Sequence, residues 1–252
     1  MAAVPPFISL VDRLTAAARA NKCSYSRFRQ IDYVDQLEGQ PGAGGICYGL
    51  AVTWLETKMQ IDSTDSYTNY FNRPWVTDNQ VENRNGGLIF QRSLLFFGQQ
   101  NAAAAQWQAQ TGLMPALDGD GSHKQRTFQY PNQLSDFVTW LGKARGTRYF
   151  LAHMNPATGP GHTMAAHGSK TGKMEFFDPN AGIVGTRLHS RLRGCLQDFL
   201  SAPQYDIYKR RRQNAGDLAP SYLFLDVEKF KPAPKPPVPL TNKVKKFLHR
   251  GF

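Results

Sequence analysis

The chain has 252 residues, of which 41% are apolar and 19% charged, with a formal net charge of +11. That length suits one ordinary domain whose core holds without disulfides or structural metals, and the composition excludes a disordered chain. Three unevenly spaced cysteines, Cys23, Cys47 and Cys195, with none in a CxxC pair, exclude a disulfide framework and a zinc ribbon and suit a reducing compartment.

Along the chain, the apolar residues Phe7, Leu10, Val11, Leu14, Ala17 and Ala18 recur at helical spacing and predict a helix over residues 5–22. The run QLEGQPGAGG (36–45) is a loop, because proline and clustered glycine resist both helix and strand. A helix follows at once, with Cys47, Leu50, Ala51, Trp54 and Leu55 on its buried face and Cys47 in its first turn. Residues 62–86 show no period, 88–110 predict a second helical region, and 111–130 read as loop. A short helix is expected at 132–145.

The pattern then changes to short apolar runs, Tyr149–Met154, His162–Ala166 and Met174–Phe177, separated by NPATGPG and GSKTGK. Turn residues between apolar runs predict an antiparallel meander of three strands. A helix is expected at 185–202 and a final strand at Tyr222–Val227. The segment KPAPKPPVPL (231–240) reads as extended linker, followed by a basic tail carrying Lys243, Lys245, Lys246 and Arg250. The expected organisation is therefore a domain over 1–230, whose first ~25 residues form an appended helix, and a linker and tail over 231–252.

A reactive thiol must be ionised, and the positive end of a helix dipole together with a neighbouring imidazolium favours the thiolate. Cys47 has the first by position. Its glycine approach, Gly42, Gly44 and Gly45, allows backbone N–H groups near a substrate carbonyl, and Gln40 offers a side-chain amide to the same oxyanion. His162 follows GPG and opens a strand, whereas Asp178 closes the next strand in FFDPNAG. In an antiparallel pair the start of one strand lies beside the end of the next, so these two side chains are expected to be neighbours. His153 reads instead as a packed histidine, and His167 should face the opposite side at the strand's other end. His123 and His189 are weaker competitors.

The order Cys, His, Asp, with the blocks GGICYGLAVTW, GHTMAAH and FFDPNAG, resembles the YopT-type papain-like cysteine proteases, bacterial effectors delivered into other cells. The resemblance runs over residues 40–227. It implies an α+β papain-like fold, in which a helical part carries the nucleophile and packs on an antiparallel sheet carrying His and Asp. It implies Cys47, His162 and Asp178 as a triad, Trp54 packed behind the catalytic helix, a protein substrate in a target cell, and no cofactor or metal. Delivery by a dedicated bacterial secretion system is the corresponding expectation, since the sequence shows neither a signal peptide nor the roughly 20 apolar residues that cross a bilayer.

Two other readings stay open at this stage. The same triad serves deamidation, transamidation or deubiquitination, because fold and triad do not fix the acceptor. A non-catalytic basic binding module is the other, resting on the net charge, although no motif for reading nucleic acid accompanies it. The basic tail is also a candidate for contact with an anionic membrane surface.

Overall fold

The computed structural model describes residues 9–30, 47–63, 112–142, 146–158, 161–211 and 220–232, of which 60–63 as backbone alone. Gln40, the glycine approach to Cys47, the helical region expected at 88–110 and the basic tail all lie outside the described residues.

Strands β4 (Arg148–Met154), β5 (His162–Gly168) and β6 (Met174–Asp178) are buried almost throughout. Runs this apolar belong to strands covered on both faces rather than one. They form the antiparallel meander that the turn residues predict, with Met154 opposite His162 and Phe177 opposite Ala165. The sheet continues through β7 (Gly182–Thr186) to β1 (Ser24–Arg27) on one side. On the other side β4 pairs with β8 (Leu223–Pro232), which in turn pairs with β2 (Leu113–Pro115) and β3 (Gln125–Tyr130). Every pairing described is antiparallel.

Several elements depart from the sequence expectations. Residues 111–130 contain strands β2 and β3 rather than loop alone. The helix expected at 185–202 begins later, as α4 (His189–Leu200), because Gly182–Thr186 is recruited as a strand between β6 and β1. Strand β8 continues through Lys231 and Pro232, the first two residues of the Pro-rich segment.

Alternation divides the core into two layers. On one face Tyr149, Leu151, Ala165 and Phe177 meet α2 (Cys47–Ser63). On the other, Phe150, Ala152, Met154, Met164, Ala166, Met174 and Phe176 meet α1 (Leu10–Ala20), α3 (Leu134–Gly142) and α4. Helix α1 starts at Ser9, whose hydroxyl accepts from the Asp12 amide, satisfying one of the donors a helix start leaves open. Helix α4 buries Leu192, Cys195, Leu196, Phe199 and Leu200, the spacing of a single apolar stripe. In α2, by contrast, Leu50 to Leu55 are all buried. The one-sided stripe read from its sequence understates this helix, which is buried all round at its middle.

What fixes α2 along the sheet is polar. Near its far end, Lys58 Nζ lies 2.8 Å from Glu175 of β6, and the same carboxyl group meets His167 at 3.2 Å and Lys173 at 2.9 Å. Trp54, one helical turn earlier, stacks on Phe177 at 5.5 Å and meets His167 edge-on. Burial alone would push Glu175 up, but the Lys58 ammonium, with His167 and Lys173, holds it well below the usual carboxylate range. Its contribution to stability is therefore complete above the unfolded-state carboxylate pKa and is lost as pH falls below that range.

Glu175→Ala should take from Lys58 and His167 the carboxylate they share, a loss of roughly 3 kcal/mol for a broken buried pair. Urea unfolding at neutral pH would measure it, and a loss below about 1 kcal/mol would show that the pair does not hold α2 in place.

Candidate active site

Cys47 is the first residue of α2, and the first turn of that helix contains no acidic residue. The positive end of the helix dipole is thus left uncompensated beside the sulfur. The thiol is half-buried and hydrogen-bonded to the His162 side chain and to the backbone amide of Thr163. Burial pushes it up, but the hydrogen bond and charge of His162 and the Thr163 N–H outweigh burial, and its pKa lies below the ordinary thiol value.

His162 opens β5, opposite Met154 at the end of β4. Gly161 permits that entry: a Cβ there would lie 2.9 Å from Asn155 Oδ1 and 3.0 Å from the Met154 carbonyl. The imidazole is 2% exposed, and its Nε2 lies 3.1 Å from Asp178 Oδ2. Nδ1 is the nitrogen left for Cys47. Burial pushes the imidazole down, yet the Asp178 carboxylate, with Cys47 adding to it, raises its pKa to about 10. A raised histidine stabilises the fold fully below its unfolded-state value of 6.5 and ceases to do so as pH rises through about 10.

Asp178 closes β6 and has no solvent exposure. Its two oxygens are divided between tasks. Oδ1 accepts the Asn180 amide at 2.6 Å, the hydrogen bond that shapes the D-P-N turn. Oδ2 accepts from His162 and, at 2.6 Å, from the Tyr205 hydroxyl. Burial raises the carboxyl, and His162, Tyr205 and the Asn180 N–H bring it below the ordinary carboxylate value. Gly182 lets β1 approach directly after this turn: its φ is +125°, and a Cβ would lie 2.3 Å from the Ser26 carbonyl oxygen. Beyond β1, Gln30 donates from Nε2 to Asn180 Oδ1 at 2.6 Å and from its amide to the Pro179 carbonyl at 2.7 Å. The turn is held from outside as well as from within.

The residues singled out from sequence thus converge: Cys47, His162 and Asp178 meet in one hydrogen-bonded row. His167 faces the α2 layer at the other end of β5 and pairs with Glu175. His153 stacks on Tyr48 at 6.1 Å and bonds Thr163 Oγ1 at 3.1 Å, and burial lowers its pKa, so it is a neutral neighbour of the row. His123 bonds the Lys229 carbonyl and His189 lies against Gly142, both away from the row.

Two residues were not found from sequence. Pro203–Tyr208 forms a 3-10 turn after α4, and three residues per turn place Tyr205 and Tyr208 on one side of it. Their rings lie 6.4 and 5.9 Å from that of His162. The only signal was a proline followed by aromatic residues three apart.

Asp178→Asn should remove the main cause that raises His162. Its titration, followed by the imidazole proton resonances, is expected to fall from about 10 to 6.5 or lower. A value that stayed near 10 would mean the carboxylate does not control the ring.

Comparison with known proteins follows the same residues. The solved crystal structure of the Pseudomonas avirulence protein AvrPphB is similar at 14% sequence identity with a TM-score of 0.43, covering 75% of this chain and 92% of that one. No curated protein sequence matches the chain. A family model described as Yersinia/Haemophilus virulence surface antigen, a peptidase family, matches residues 13–218, a span that includes Cys47, His162 and Asp178. By that match the chain belongs to the Yersinia/Haemophilus virulence surface antigen peptidases, the YopT family.

Proposed function

We propose that this protein is a cysteine protease that hydrolyses a peptide bond of a protein in a target cell, with Cys47 as nucleophile, His162 as general acid and base, and Asp178 as the residue orienting the histidine. The observation that carries the reading is the continuous bonding from the Cys47 thiol through His162 to a fully buried Asp178. A lowered thiol and a raised imidazole, each stabilising the other's charge, favour a thiolate–imidazolium pair.

In this mechanism the Cys47 thiolate attacks the scissile carbonyl carbon, forming a C–S bond and a tetrahedral oxyanion. Collapse breaks the C–N bond as the His162 Nδ1 proton passes to the departing amine. The imidazole, now neutral, takes a proton from water, and the resulting hydroxide attacks the thioester. Cleavage of the C–S bond releases the acid and restores thiolate and imidazolium. Asp178 holds Nε2–H throughout, which keeps Nδ1 turned to the sulfur and supports the positive charge. Gln40 and backbone N–H groups at the start of α2 are the proposed oxyanion donors.

Family membership supports a peptidase acting on a protein substrate. Delivery from a bacterium into that target cell, and contact of the basic tail with an anionic membrane, are the accompanying parts of the proposal. Among the described residues no helix is long and apolar enough to cross a membrane.

An epoxysuccinate inhibitor of papain-type thiols should modify one cysteine, and peptide mapping should locate it at Cys47 rather than Cys23 or Cys195. Cys47→Ala should abolish both labelling and processing of a cognate substrate while leaving the fold intact. Mass spectrometry of the product separates a backbone cut from deamidation or a crosslink. Substrate processing that survived Cys47→Ala would end the proposal.

A further inference from the structure

We propose that Tyr205 is a positioning residue of this site, acting through Asp178: its hydroxyl donates to the same carboxylate oxygen that holds His162 and so fixes the plane in which the imidazole meets Cys47. This rests on the protease reading above and deepens it.

Asp178 is the last residue of a strand, and its Oδ1 is committed to its own turn. A carboxylate bonded at one oxygen can still pivot about that bond. Tyr205 removes the freedom, donating to Oδ2 at 2.6 Å from an element outside the sheet. The tyrosine is itself held on the side away from Asp178: it is 1% exposed, its ring packs edge-on against Phe199 of α4 at 5.3 Å, and its amide donates to the Ala202 carbonyl at 2.9 Å. The Tyr208 ring, stacked on His162 at 5.9 Å, covers the same imidazole from the same turn. The turn Pro203–Tyr208 therefore delivers one hydroxyl to the carboxylate and two rings beside the histidine.

The hydroxyl also has an electrostatic consequence. Its dipole points its positive end at a cluster that becomes more negative with each proton lost. The titratable groups facing that cluster are Cys47 from α2, His153 from β4, His162 from β5 and Tyr208 from the same turn. A donor aimed at them lowers the proton affinity of each, so its removal raises all of them.

The test is the pH dependence of Cys47 alkylation by iodoacetate, an anion that reacts with the thiolate and is drawn to it by the imidazolium, in the intact protein, which needs no substrate. Wild type should show a bell, rising as the thiolate forms and falling as His162 loses its proton. Tyr205→Phe should displace both limbs to higher pH by about one unit, the order expected for a hydrogen bond to a charged group. A fluorinated tyrosine at 205, nearly isosteric and a stronger donor, should displace them to lower pH, and it keeps the test decisive if the phenylalanine variant folds poorly. A purely structural tyrosine would change the amount of folded protein and leave both limbs in place. Limbs that moved with neither variant would overturn the proposal. A wild-type Cys47 with no bell at all would instead overturn the protease reading beneath it.

Discussion

A carboxylate with no solvent exposure constrains everything around Asp178. Burying a charge is costly unless hydrogen bonds replace the water it gives up, and here the replacements come from three separate places. The turn after β6 supplies an amide, the start of β5 supplies an imidazole, and the 3-10 turn after α4 supplies a hydroxyl. None of these segments can move without leaving the charge short of a donor. The sheet register and the docking of the 3-10 turn are thus tied to one side chain, the same one to which the proposed mechanism assigns the orientation of His162.

The placement of Cys47 depends on a matching of lengths. Helix α2 runs along β5 from the His162 end to the His167 end, with Cys47 bonded at one end and Lys58 tied to the His167–Glu175 pair at the other. Eleven helical steps from Cys47 to Lys58 cover about 16 Å. Five strand steps from His162 to His167 cover about 17 Å. The ion pair at the far end and the sulfur at the near end can therefore be satisfied together. The two histidines of GHTMAAH, on opposite faces and five residues apart, act at opposite ends of one helix.

Much of this was legible in the sequence because its punctuation is local. GPG before His162 and DPNAG after Phe177 mark strand ends, and adjacent antiparallel strands bring such ends together without further information. The helix beginning at Cys47 was legible for the same reason, from glycines followed by an apolar period. Strands β1 and β3 were not, because SYSR and QRTFQY carry few apolar residues and face solvent at several positions. Their strand character comes from pairing with β7 and β8, a tertiary cause that propensity does not encode. Tyr205 was hidden more completely. Nothing in PQYDIY announces a partner 27 residues earlier, and only the docking of α4 on the sheet brings its hydroxyl to Asp178. Asp178 itself shows that the turn reading of D-P-N and a bond to His162 are compatible, since one oxygen serves each.

The end of the sheet also explains why the site lies where it does. Strand β6 pairs with β5 only from Ala165 to Gly168, so His162 and Thr163 extend beyond the β6 ladder. In the middle of a sheet a backbone amide is committed to its neighbour strand. Past the last paired residue, the Thr163 amide is free of that duty on the β6 side, and it is given to the Cys47 sulfur. The same offset lets the His162 side chain reach diagonally to Asp178, which stands two residues short of the position directly opposite. A β6 longer by one turn's worth of residues would close the ladder, take the amide and push the D-P-N turn past the histidine. The early end of β6, set by Pro179, which cannot donate to a ladder, is what leaves a backbone donor facing the start of α2 and a carboxylate oxygen facing His162.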